Sequence, residues 1–387
     1  MTTPNILFAN PKKAYEERRA AIDAAIMRAL EGGWYILGPE VDAFEHEYAS
    51  WMGGGHCVGA ASGTDAIELA LRGLGVGTTS NAGRPRAVFT VSHTAVATVA
   101  AIERAGAVPV LVDVLASTYT MDPASLEAAI VHVLQERADL EPAVIIPVHL
   151  YGHPCDMDEI MRLAAAYGLA VLEDCAQAHG ACLRGRKAGT FGQAAAFSFY
   201  PTKNLGALGD AGGVYTPDAE LAERMRSLRQ YGWKERYISA EPGINSRLDP
   251  IQAAVLREQL KHLDHDNDRR RAIAACYDAE LADPAFLLPS AAKELRHAYH
   301  LYVIRCKKRD RFIAFMKEHG IGCALHYPKP VHQQPAYQGR LAVAPGGLPV
   351  TEEICSEIVS LPMYPQLTMD ELAHICLTAR AWAKEES

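Results

Sequence analysis

Residues 168–180 read GLAVLEDCAQAHG, and this stretch indicates the class of fold. Its apolar run is typical of a strand buried on both faces, and the run ends in the carboxylates Glu173 and Asp174. Ligands of parallel sheets bind beyond the carboxyl ends of the strands, so Asp174 marks the place where a ligand is expected. An aspartate in this position also suits the N-cap of a following helix, and the stretch alone leaves both interpretations open.

On both sides of this stretch, short apolar runs alternate with segments of helical periodicity. Strands are predicted at residues 87–91, 108–112, 143–147, 169–172, 195–199 and 213–215. Helices are predicted at residues 67–74, 94–105, 125–137, 157–167 and 220–230, where apolar residues recur at helical spacing. This alternation is typical of parallel strands joined by crossover helices. Residues 1–250 are therefore expected to form an N-terminal segment and one large, mostly parallel α/β domain.

The pattern changes after a helix predicted at 250–263 and the charged stretch 264–271. A strand at 300–306, a helix at 310–319, a strand at 322–326, a proline-rich loop at 327–335 and two C-terminal helices follow. Residues 251–387 are therefore expected to form a linking helix and a smaller C-terminal α+β domain. The three cations at 269–271 are predicted to lie on a solvated helix face.

The composition is that of an ordinary globular protein, with 387 residues, 49% hydrophobic, 22% charged and a formal net charge of −8. This balance gives no electrostatic footprint for nucleic acid or for an anionic membrane surface. No stretch resembles a signal peptide or reaches the roughly 18 apolar residues of a membrane span, so a cytoplasmic protein is expected. The nine cysteines contain no CxxC pair and are expected to be reduced thiols, and no metal site is predicted.

The small residues ASGTD at 61–65 stand directly before an amphipathic helix. Such a turn presents free backbone N–H groups and the positive end of the helix dipole, an arrangement that suits a phosphate. An ordinary N-cap, in which a Ser or Thr hydroxyl satisfies the first amides of the helix, explains the same residues. This turn is therefore a candidate phosphate site only in combination with other features.

A third segment, AAFSFYPTKNLGALGDAGG at 195–213, leads from an apolar strand into a glycine-rich loop that carries Lys203. Partial desolvation in such a loop lowers the pKa of a lysine and makes its amine nucleophilic, although an ordinary surface lysine is the commoner case. Pyridoxal phosphate (PLP) requires a lysine that binds its aldehyde, a carboxylate that pairs with its pyridine nitrogen and a helix start that binds its phosphate. The three segments together therefore point to that cofactor.

Eight motifs extend this pattern over almost the whole chain. They are GWYILGP at 33–39, SGTDA at 62–66, SHTAVAT at 92–98, PVHLYG at 147–152, EDCAQAHG at 173–180, SFYPTKN at 198–204, GINSRL at 243–248 and HYP at 326–328. In order and spacing they resemble the sugar aminotransferases of the DegT/DnrJ/EryC1/StrS family. The resemblance implies the aspartate-aminotransferase type of fold, fold type I of the PLP enzymes, with pyridoxal 5'-phosphate as the cofactor.

The resemblance also implies roles for single residues of the cofactor site. Lys203 binds the cofactor aldehyde as an imine, Asp174 pairs with the pyridine nitrogen and Gln177 bonds the ring hydroxyl. Many relatives stack an aromatic side chain on the cofactor at the position of Ala95, and His93 is the substitute predicted here. The phosphate ligands implied are Gly63, Thr64, Ser198 and Asn245. Because Asn245 comes from a second copy of the chain, a homodimer with shared active sites is expected.

On the substrate side, the resemblance implies contacts from Trp34, His326, Tyr327 and His332. The implied reaction moves an amino group from an amino acid, glutamate, to a keto carbon of a nucleotide-linked deoxysugar. The motifs at 92–98 and 326–328 resemble relatives that act at C-3 more than those that act at C-4. Two alternatives stay open: a sugar dehydratase, in which relatives carry histidine in place of Lys203, and a non-catalytic regulator. No helix-turn-helix domain or basic extension supports the regulator.

Overall fold

The computed structural model describes residues 6–77, 83–292 and 294–386. The polar stretch 78–86, which its sequence predicts to be a surface loop, is thus described only from residue 83 onward, and residues 78–82 lie outside. Within the described ranges, no helix combines the length and the apolar character that crossing a membrane requires.

Helices and strands alternate along most of the chain. The helices are α1 (Pro11–Glu17), α2 (Arg19–Glu31), α3 (Pro39–Met52), α4 (Gly63–Gly73), α5 (Val96–Arg104), α6 (Pro123–Glu136), α7 (Met157–Tyr167), α8 (Ala219–Leu228), α9 (Pro250–Leu260), α10 (Leu263–Glu280), α11 (Arg309–Glu318), α12 (Pro349–Glu357) and α13 (Met369–Glu386). The strands are β1 (His56–Ala60), β2 (Arg86–Val91), β3 (Val108–Val112), β4 (Glu141–Ile145), β5 (Ala170–Asp174), β6 (Cys182–Leu183), β7 (Arg186–Lys187), β8 (Ala194–Ser198), β9 (Gly212–Thr216), β10 (Trp233–Glu235), β11 (Ile238–Ser239), β12 (Leu295–Arg296), β13 (Tyr302–Arg305), β14 (Ala342–Val343) and β15 (Ile358–Leu361). Each strand predicted for the large domain begins and ends within two residues of an observed strand.

Eight of the described strands form the central sheet, in the order β1-β9-β8-β5-β4-β2-β3-β14. Strands β8, β5, β4, β2, β3 and β14 run parallel to one another. Strand β9 is antiparallel to β8 and β1. The expected α/β fold with a mostly parallel sheet is confirmed, and the carboxyl ends of β8, β5, β4 and β2 meet at one edge.

Helices cover both faces of this sheet. Because successive side chains of a strand point to opposite faces, Phe89 and Val88 of β2 belong to different buried clusters. Phe89 packs in a cluster with side chains of α6 and α7, and Val88 packs in a cluster with side chains of α4, α5 and α8. Coverage on both faces is the reason that the strands are continuous apolar runs in the sequence.

The C-terminal part has a core of its own, built on the antiparallel pair β13 and β15 with side chains from α10, α11 and α13. The division near residue 250 stays a prediction, and two segments cross it. Ile6 forms a bridge with Ile321 and packs into the C-terminal core. In the opposite direction, β14 pairs with β3 and extends the central sheet.

Two predictions for the C-terminal part are wrong. Residues 322–326 are not a strand, because this segment crosses β15 at one point, the bridge from Ala324 to Ser360, instead of running alongside it. Arg270 lies on a helix as predicted, but its side chain is buried. Its guanidinium donates to the backbone oxygens of Tyr299, His300 and Met363. A run of charges in the sequence does not distinguish such an internal cross-link from a solvated face.

Candidate active site

Three segments that the sequence singled out meet at the carboxyl-end edge of the central sheet. Strand β5 ends at Asp174, which is in register with Ala196 of the parallel strand β8. The loop that carries Lys203 follows β8 directly. The start of α4 lies against the end of β8, since a Cβ atom on Gly63 would stand 2.6 Å from the Cβ of Ser198. The structure thus brings together the carboxylate, the lysine and the helix start.

Helix α4 begins with unpaired amide groups beside Ser198. Its N-cap is Ser62, whose Oγ accepts a hydrogen bond from the backbone N of Asp65 at 3.1 Å. This bond satisfies one first-turn donor and leaves the amides of Gly63 and Thr64 without an acceptor in the part of the chain that the structure describes. The N-cap and phosphate interpretations are therefore compatible, because the cap and the free donors are different groups.

The carboxylate of Asp174 is buried and held by two donors. Its Oδ2 accepts from Oγ1 of Thr98 at 2.9 Å, and its Oδ1 accepts from the backbone N of Ala176 at 3.1 Å. Burial raises the pKa of Asp174, whereas the two hydrogen bonds and the charge of Lys203 oppose that shift. The next element is the short strand β6, so Asp174 is not the N-cap of a helix. A buried carboxylate of this kind needs a cation nearby to stay ionised.

Lys203 provides positive charge nearby without touching Asp174. Desolvation by burial lowers the pKa of Lys203 from 10.5 to about 8, and the charge of Asp174 opposes the shift. Within residues 6–77, 83–292 and 294–386, its Nζ makes no hydrogen bond or ion pair. A desolvated amine with a pKa near neutrality is the form in which lysine acts as a nucleophile, so the surface-lysine interpretation is not supported.

Gln177 is fixed by two contacts that define how its amide group points. Its Oε1 accepts from the backbone N of Tyr151 at 2.7 Å, and its Nε2 donates to the hydroxyl of Tyr327 at 3.1 Å. A backbone N–H only donates, so the side-chain oxygen must face Tyr151 and the NH₂ group must face the other way. Gln177 therefore presents a donor on the side of Tyr327.

The predicted role of His93 as the stacking group is wrong. Its ring is completely buried, with Nε2 bonded to the hydroxyl of Tyr151 at 2.9 Å and Nδ1 3.2 Å from Sγ of Cys355. Burial lowers the pKa of His93 to about 4, so the ring is neutral. With neither face accessible, it has no surface to offer to a ligand. Ala95 in the same turn is partly exposed but carries no ring.

Residues 326–332 form a segment that reaches this edge from the C-terminal part. Tyr327 carries the hydroxyl that accepts from Gln177, and Nδ1 of His326 lies 2.8 Å from Oγ of Ser360. Both residues are partly exposed beside the Asp174 carboxylate and Lys203, whose charges act on them. The substrate roles predicted for His326 and Tyr327 stay predictions.

His332 has a different task from the predicted contact with substrate. Its Nδ1 lies 2.8 Å from Oγ of Ser92, and its Nε2 lies 3.0 Å from Oε1 of Glu352. Its backbone N also donates to Oγ of Ser92. Both ring nitrogens are therefore engaged, and His332 anchors the segment on the turn after β2 instead of offering a free group to a substrate.

Trp34 and Asn245 are exposed, and the single chain does not bring them into the group. The indole of Trp34 is 62% exposed and donates to the backbone oxygen of Ile36 at 2.8 Å. Next to Asn245, Oγ of Ser246 accepts from the backbone N of Ala61 and donates to Asp65, so this loop lies beside the start of α4. Within the described ranges, no hydrogen bond joins Trp34 or Asn245 to the Asp174 carboxylate or to Lys203.

Sequence reasoning gave no role to Thr98 or Tyr151. Thr98 holds the Asp174 carboxylate, and Tyr151 holds Gln177 through its backbone and His93 through its hydroxyl. Both residues lie in quoted motifs, at 92–98 and 147–152, but nothing in their spacing indicates which atoms they contact. Tyr151 also has a φ of 59°, an uncommon conformation for a residue other than glycine that only the structure reveals.

His149, Glu173 and Cys175 form a cluster with the side-chain types of a metal site. Glu173 and Cys175 are the chain neighbours of Asp174, and the backbone N of His149 donates to the backbone oxygen of Asp174. The Glu173 oxygens accept from the backbone N atoms of Gly189, Phe191 and Gly192, and Oε2 lies 3.0 Å from Nε2 of His149. Two donors on each oxygen already satisfy this carboxylate. Its evident task is to clamp the end of β5 to the loop before β8.

Comparisons with known proteins found relatives over almost the whole chain. A family model described as the DegT/DnrJ/EryC1/StrS aminotransferase family matches residues 16–380. The chain is 46% identical over 380 residues to the erythromycin biosynthesis sensory transduction protein EryC1 of Saccharopolyspora erythraea, covering 98% of this chain and 100% of that protein. It is 45% identical over 383 residues to the dTDP-3-amino-3,4,6-trideoxy-alpha-D-glucose transaminase of Streptomyces venezuelae, covering 99% and 97%. A crystal structure of a DegT DnrJ EryC1 StrS aminotransferase from Brucella abortus matches with a TM-score of 0.93 at 38% identity, covering 98% of this chain and 99% of that one.

Proposed function

The chain belongs to the DegT/DnrJ/EryC1/StrS aminotransferase family, and from this premise we propose that it transfers the amino group of glutamate to the C-3 keto carbon of a nucleotide-linked deoxysugar. The chain is a PLP-dependent sugar aminotransferase, and the proposal adds the donor, the carbon and the residues. The observation that carries the residue roles is the meeting of Asp174, Lys203 and the start of α4 at one edge of the sheet.

The groups at this edge fit pyridoxal phosphate. The Asp174 carboxylate suits the protonated ring nitrogen, and the unpaired amides of Gly63 and Thr64 beside Ser198 suit the phosphate. Lys203, desolvated and without a hydrogen-bond partner in the described chain, suits the aldehyde. When bound, the cofactor supplies an electron sink for the charge that develops at the α-carbon of the donor.

The chain's own residues supply proton transfer and electrostatic stabilisation. A pKa of about 8 leaves roughly a tenth of the Lys203 amine neutral at pH 7, far more than for an ordinary lysine, so this amine can accept and return a proton at the α-carbon of the donor. Hydrogen bonds from Thr98 and the amide of Ala176 to both oxygens favour the ionised form of Asp174 against the effect of burial. Burial of both charges keeps water away and strengthens their electrostatic effect.

Two features support C-3 as the acceptor carbon. The motifs at 92–98 and 326–328 resemble relatives that act at C-3, and the S. venezuelae relative is named for a 3-amino sugar. Lys203 counts against the dehydratase alternative, whose members carry histidine there. The regulatory alternative, which the name of the S. erythraea relative suggests for that protein, leaves a desolvated lysine opposite a buried carboxylate unexplained.

The acceptor is tested with two substrates that differ only in the position of the ketone. With glutamate as donor, we expect the 3-keto form of a nucleotide-linked 6-deoxyhexose to be aminated at least about 10-fold faster than the 4-keto form, since a misplaced reacting carbon loses the aligned geometry. Product analysis by NMR gives the carbon that bears nitrogen. Amination at C-4, or no amination of either sugar, would contradict the proposal.

We also propose that the active unit is a homodimer. Several large apolar side chains are at least half exposed on the single chain, among them Trp34, Tyr35, Ile36, Tyr237 and Ile238. Exposed apolar groups in such number suggest a surface that another protein covers. Asn245 is exposed as well, in a loop that lies beside the start of α4, and its implied role at the phosphate of a second copy makes that copy the covering partner.

Shared active sites predict complementation between two inactive variants. Lys203→Ala and Asn245→Asp are each expected to be nearly inactive, the second because it places a carboxylate beside a phosphate. After statistical subunit exchange, half the dimers are mixed, and one of their two sites carries neither lesion. Roughly a quarter of the wild-type activity should therefore return, measured as the transamination rate at equal total protein.

A matched control mixes the Lys203→Ala variant with the Asp174→Asn variant. Both residues are expected to serve the active site of their own chain. Every site in these mixed dimers carries one lesion, so no activity should return. Failure of the Lys203→Ala and Asn245→Asp pair to recover after verified exchange, or a monomer by sedimentation with cofactor bound, would refute the shared site.

A further inference from the structure

The hydroxyl of Tyr327 lies among the groups that the cofactor ring would contact, although it belongs to a segment of the C-terminal part. It accepts from Nε2 of Gln177 at 3.1 Å. Burial raises the pKa of Tyr327, and the negative charge of the nearby Asp174 carboxylate raises it further. Tyr327 is therefore protonated at neutral pH and retains a hydrogen to donate.

The direction of the bond between Gln177 and Tyr327 leaves that hydrogen available. The backbone N of Tyr151 fixes the oxygen of the Gln177 side chain, so Gln177 presents its NH₂ group and the Tyr327 hydroxyl accepts. Among the described residues, no side chain or backbone oxygen accepts from the hydroxyl of Tyr327. The hydroxyl of Tyr327 therefore has a proton to offer to a group bound at this edge of the sheet.

The position of Tyr327 is enforced from the central sheet. The hydroxyl of Tyr151 donates to the backbone oxygen of His326, the residue directly before Tyr327. The same hydroxyl is bonded to Nε2 of His93, whose other nitrogen contacts Cys355. Five residues further along, His332 anchors the segment on Ser92. Attachment at both ends holds Tyr327 against the end of β5, which is the arrangement expected of a preorganised contact.

We propose that Tyr327 is a second hydrogen-bond donor to the ring hydroxyl of the cofactor, beside Gln177, and that Tyr151 with His93 forms the support that positions it. This inference rests on the proposed function, since it concerns the cofactor of that site. It assigns Tyr327 to the cofactor rather than to the sugar. It also explains why His93 is buried in the support instead of lying against the ring.

A donor at the ring oxygen has a measurable effect on the cofactor-loaded enzyme. In the loaded enzyme, the nitrogen of Lys203 and the ring oxygen share a proton, which negative charge on the ring oxygen stabilises. A hydrogen bond donated to the ring oxygen reduces that negative charge, so the proton is lost at a lower pH. The midpoint of the pH titration of the visible absorbance band reports this proton. Removal of the donor should therefore raise the midpoint.

The test is Tyr327→Phe, which keeps the ring and removes only the hydroxyl. In the loaded enzyme we expect the midpoint to rise by about one pH unit, a tenfold change in the proton equilibrium. The titratable groups around the site are untouched by the change, namely Asp174, Lys203, His179, His300 and His326. The readout is spectroscopic and does not depend on turnover.

The matched control is Tyr167→Phe. The hydroxyl of Tyr167 donates to Glu127 at 3.1 Å, at the end of α7 that leads into β5 and thus at the opposite edge of the sheet. Its midpoint should equal that of the wild type. The expected shift for Tyr327→Phe is about one pH unit. A midpoint within about 0.2 pH units of the wild type would therefore overturn the inference.

A substrate role for Tyr327 has a different signature. If its hydroxyl serves the sugar, Tyr327→Phe raises the KM for the nucleotide sugar about tenfold and leaves the midpoint unchanged, which overturns the inference but not the proposed function. If the wild-type protein shows no visible band after incubation with pyridoxal phosphate, the proposed function fails and the inference fails with it. The two failures are distinguishable because the second occurs in the unmutated protein.

Discussion

Lys203→Ala is expected to lower multiple-turnover transamination by at least about 10⁴-fold, because it removes both the nucleophile for the cofactor and the group that moves the proton. The fold should survive, since the amine has no hydrogen-bond partner in the described chain and its removal relieves the desolvation of a charge. The measurements are kcat/KM at saturating cofactor and the visible spectrum. In the wild type, borohydride should fix the cofactor on the peptide that contains Lys203.

A second desolvated lysine provides the control. Lys187 lies over the ring of Trp51 at 3.8 Å, and burial lowers its pKa as well, but its Nζ donates to the backbone oxygen of Trp51. Lys187→Ala should keep the visible band and a turnover within about threefold of the wild type, as expected outside a catalytic site. Normal turnover by Lys203→Ala would show that the lysine assignment is wrong.

Asp174→Asn is expected to bind the cofactor and to lose about 10³-fold in kcat. The neutral amide no longer holds a proton on the ring nitrogen, so the electron sink is lost where low dielectric makes that charge most effective. The amide oxygen can still accept from the backbone N of Ala176, and the amide NH₂ can donate to Oγ1 of Thr98, so the local structure should be kept. Cofactor affinity, from fluorescence titration, and kcat are the two measurements.

The adjacent carboxylate gives the contrast. Glu173 points away from Asp174 and is satisfied by His149 and the loop that begins at Gly189. Glu173→Gln should lower the free energy of unfolding by about 3 kcal/mol, because one strong acceptor for several buried donors is weakened. Its kcat in the folded state should stay within about threefold of the wild type. A value of kcat for Asp174→Asn in that same range would refute its proposed role.

The parts of the site that the sequence predicted are those fixed by local chain geometry. Asp174 was recognised because a strand buried on both faces is an apolar run, and the end of that run gives the edge where ligands bind. The start of α4 was recognised because Ser62 is a residue type that caps helices. Lys203 followed from its place in the loop after β8 and from the family motif that contains it.

The parts that the sequence did not predict depend on contacts between distant segments. His93 and Ala95 lie two residues apart in one turn, and only the packing of Tyr151 and Cys355 decides that the histidine points into the core. Tyr151 contacts Gln177 through its backbone N, and both His93 and residue 326 through its hydroxyl, and no periodicity encodes these contacts. The interpretation of residues 269–271 as solvated failed for the same reason at Arg270.

The short strand β14 has a consequence for the order in which the chain is made. It pairs with β3 at residues 110–111, yet the ribosome synthesises it only when most of the chain has emerged. Until then, the nascent large domain carries an open parallel edge whose unpaired backbone groups invite association with other chains. Completion of the central sheet is therefore a late step in biogenesis, and a nascent chain that stalls near residue 250 still exposes the edge of β3.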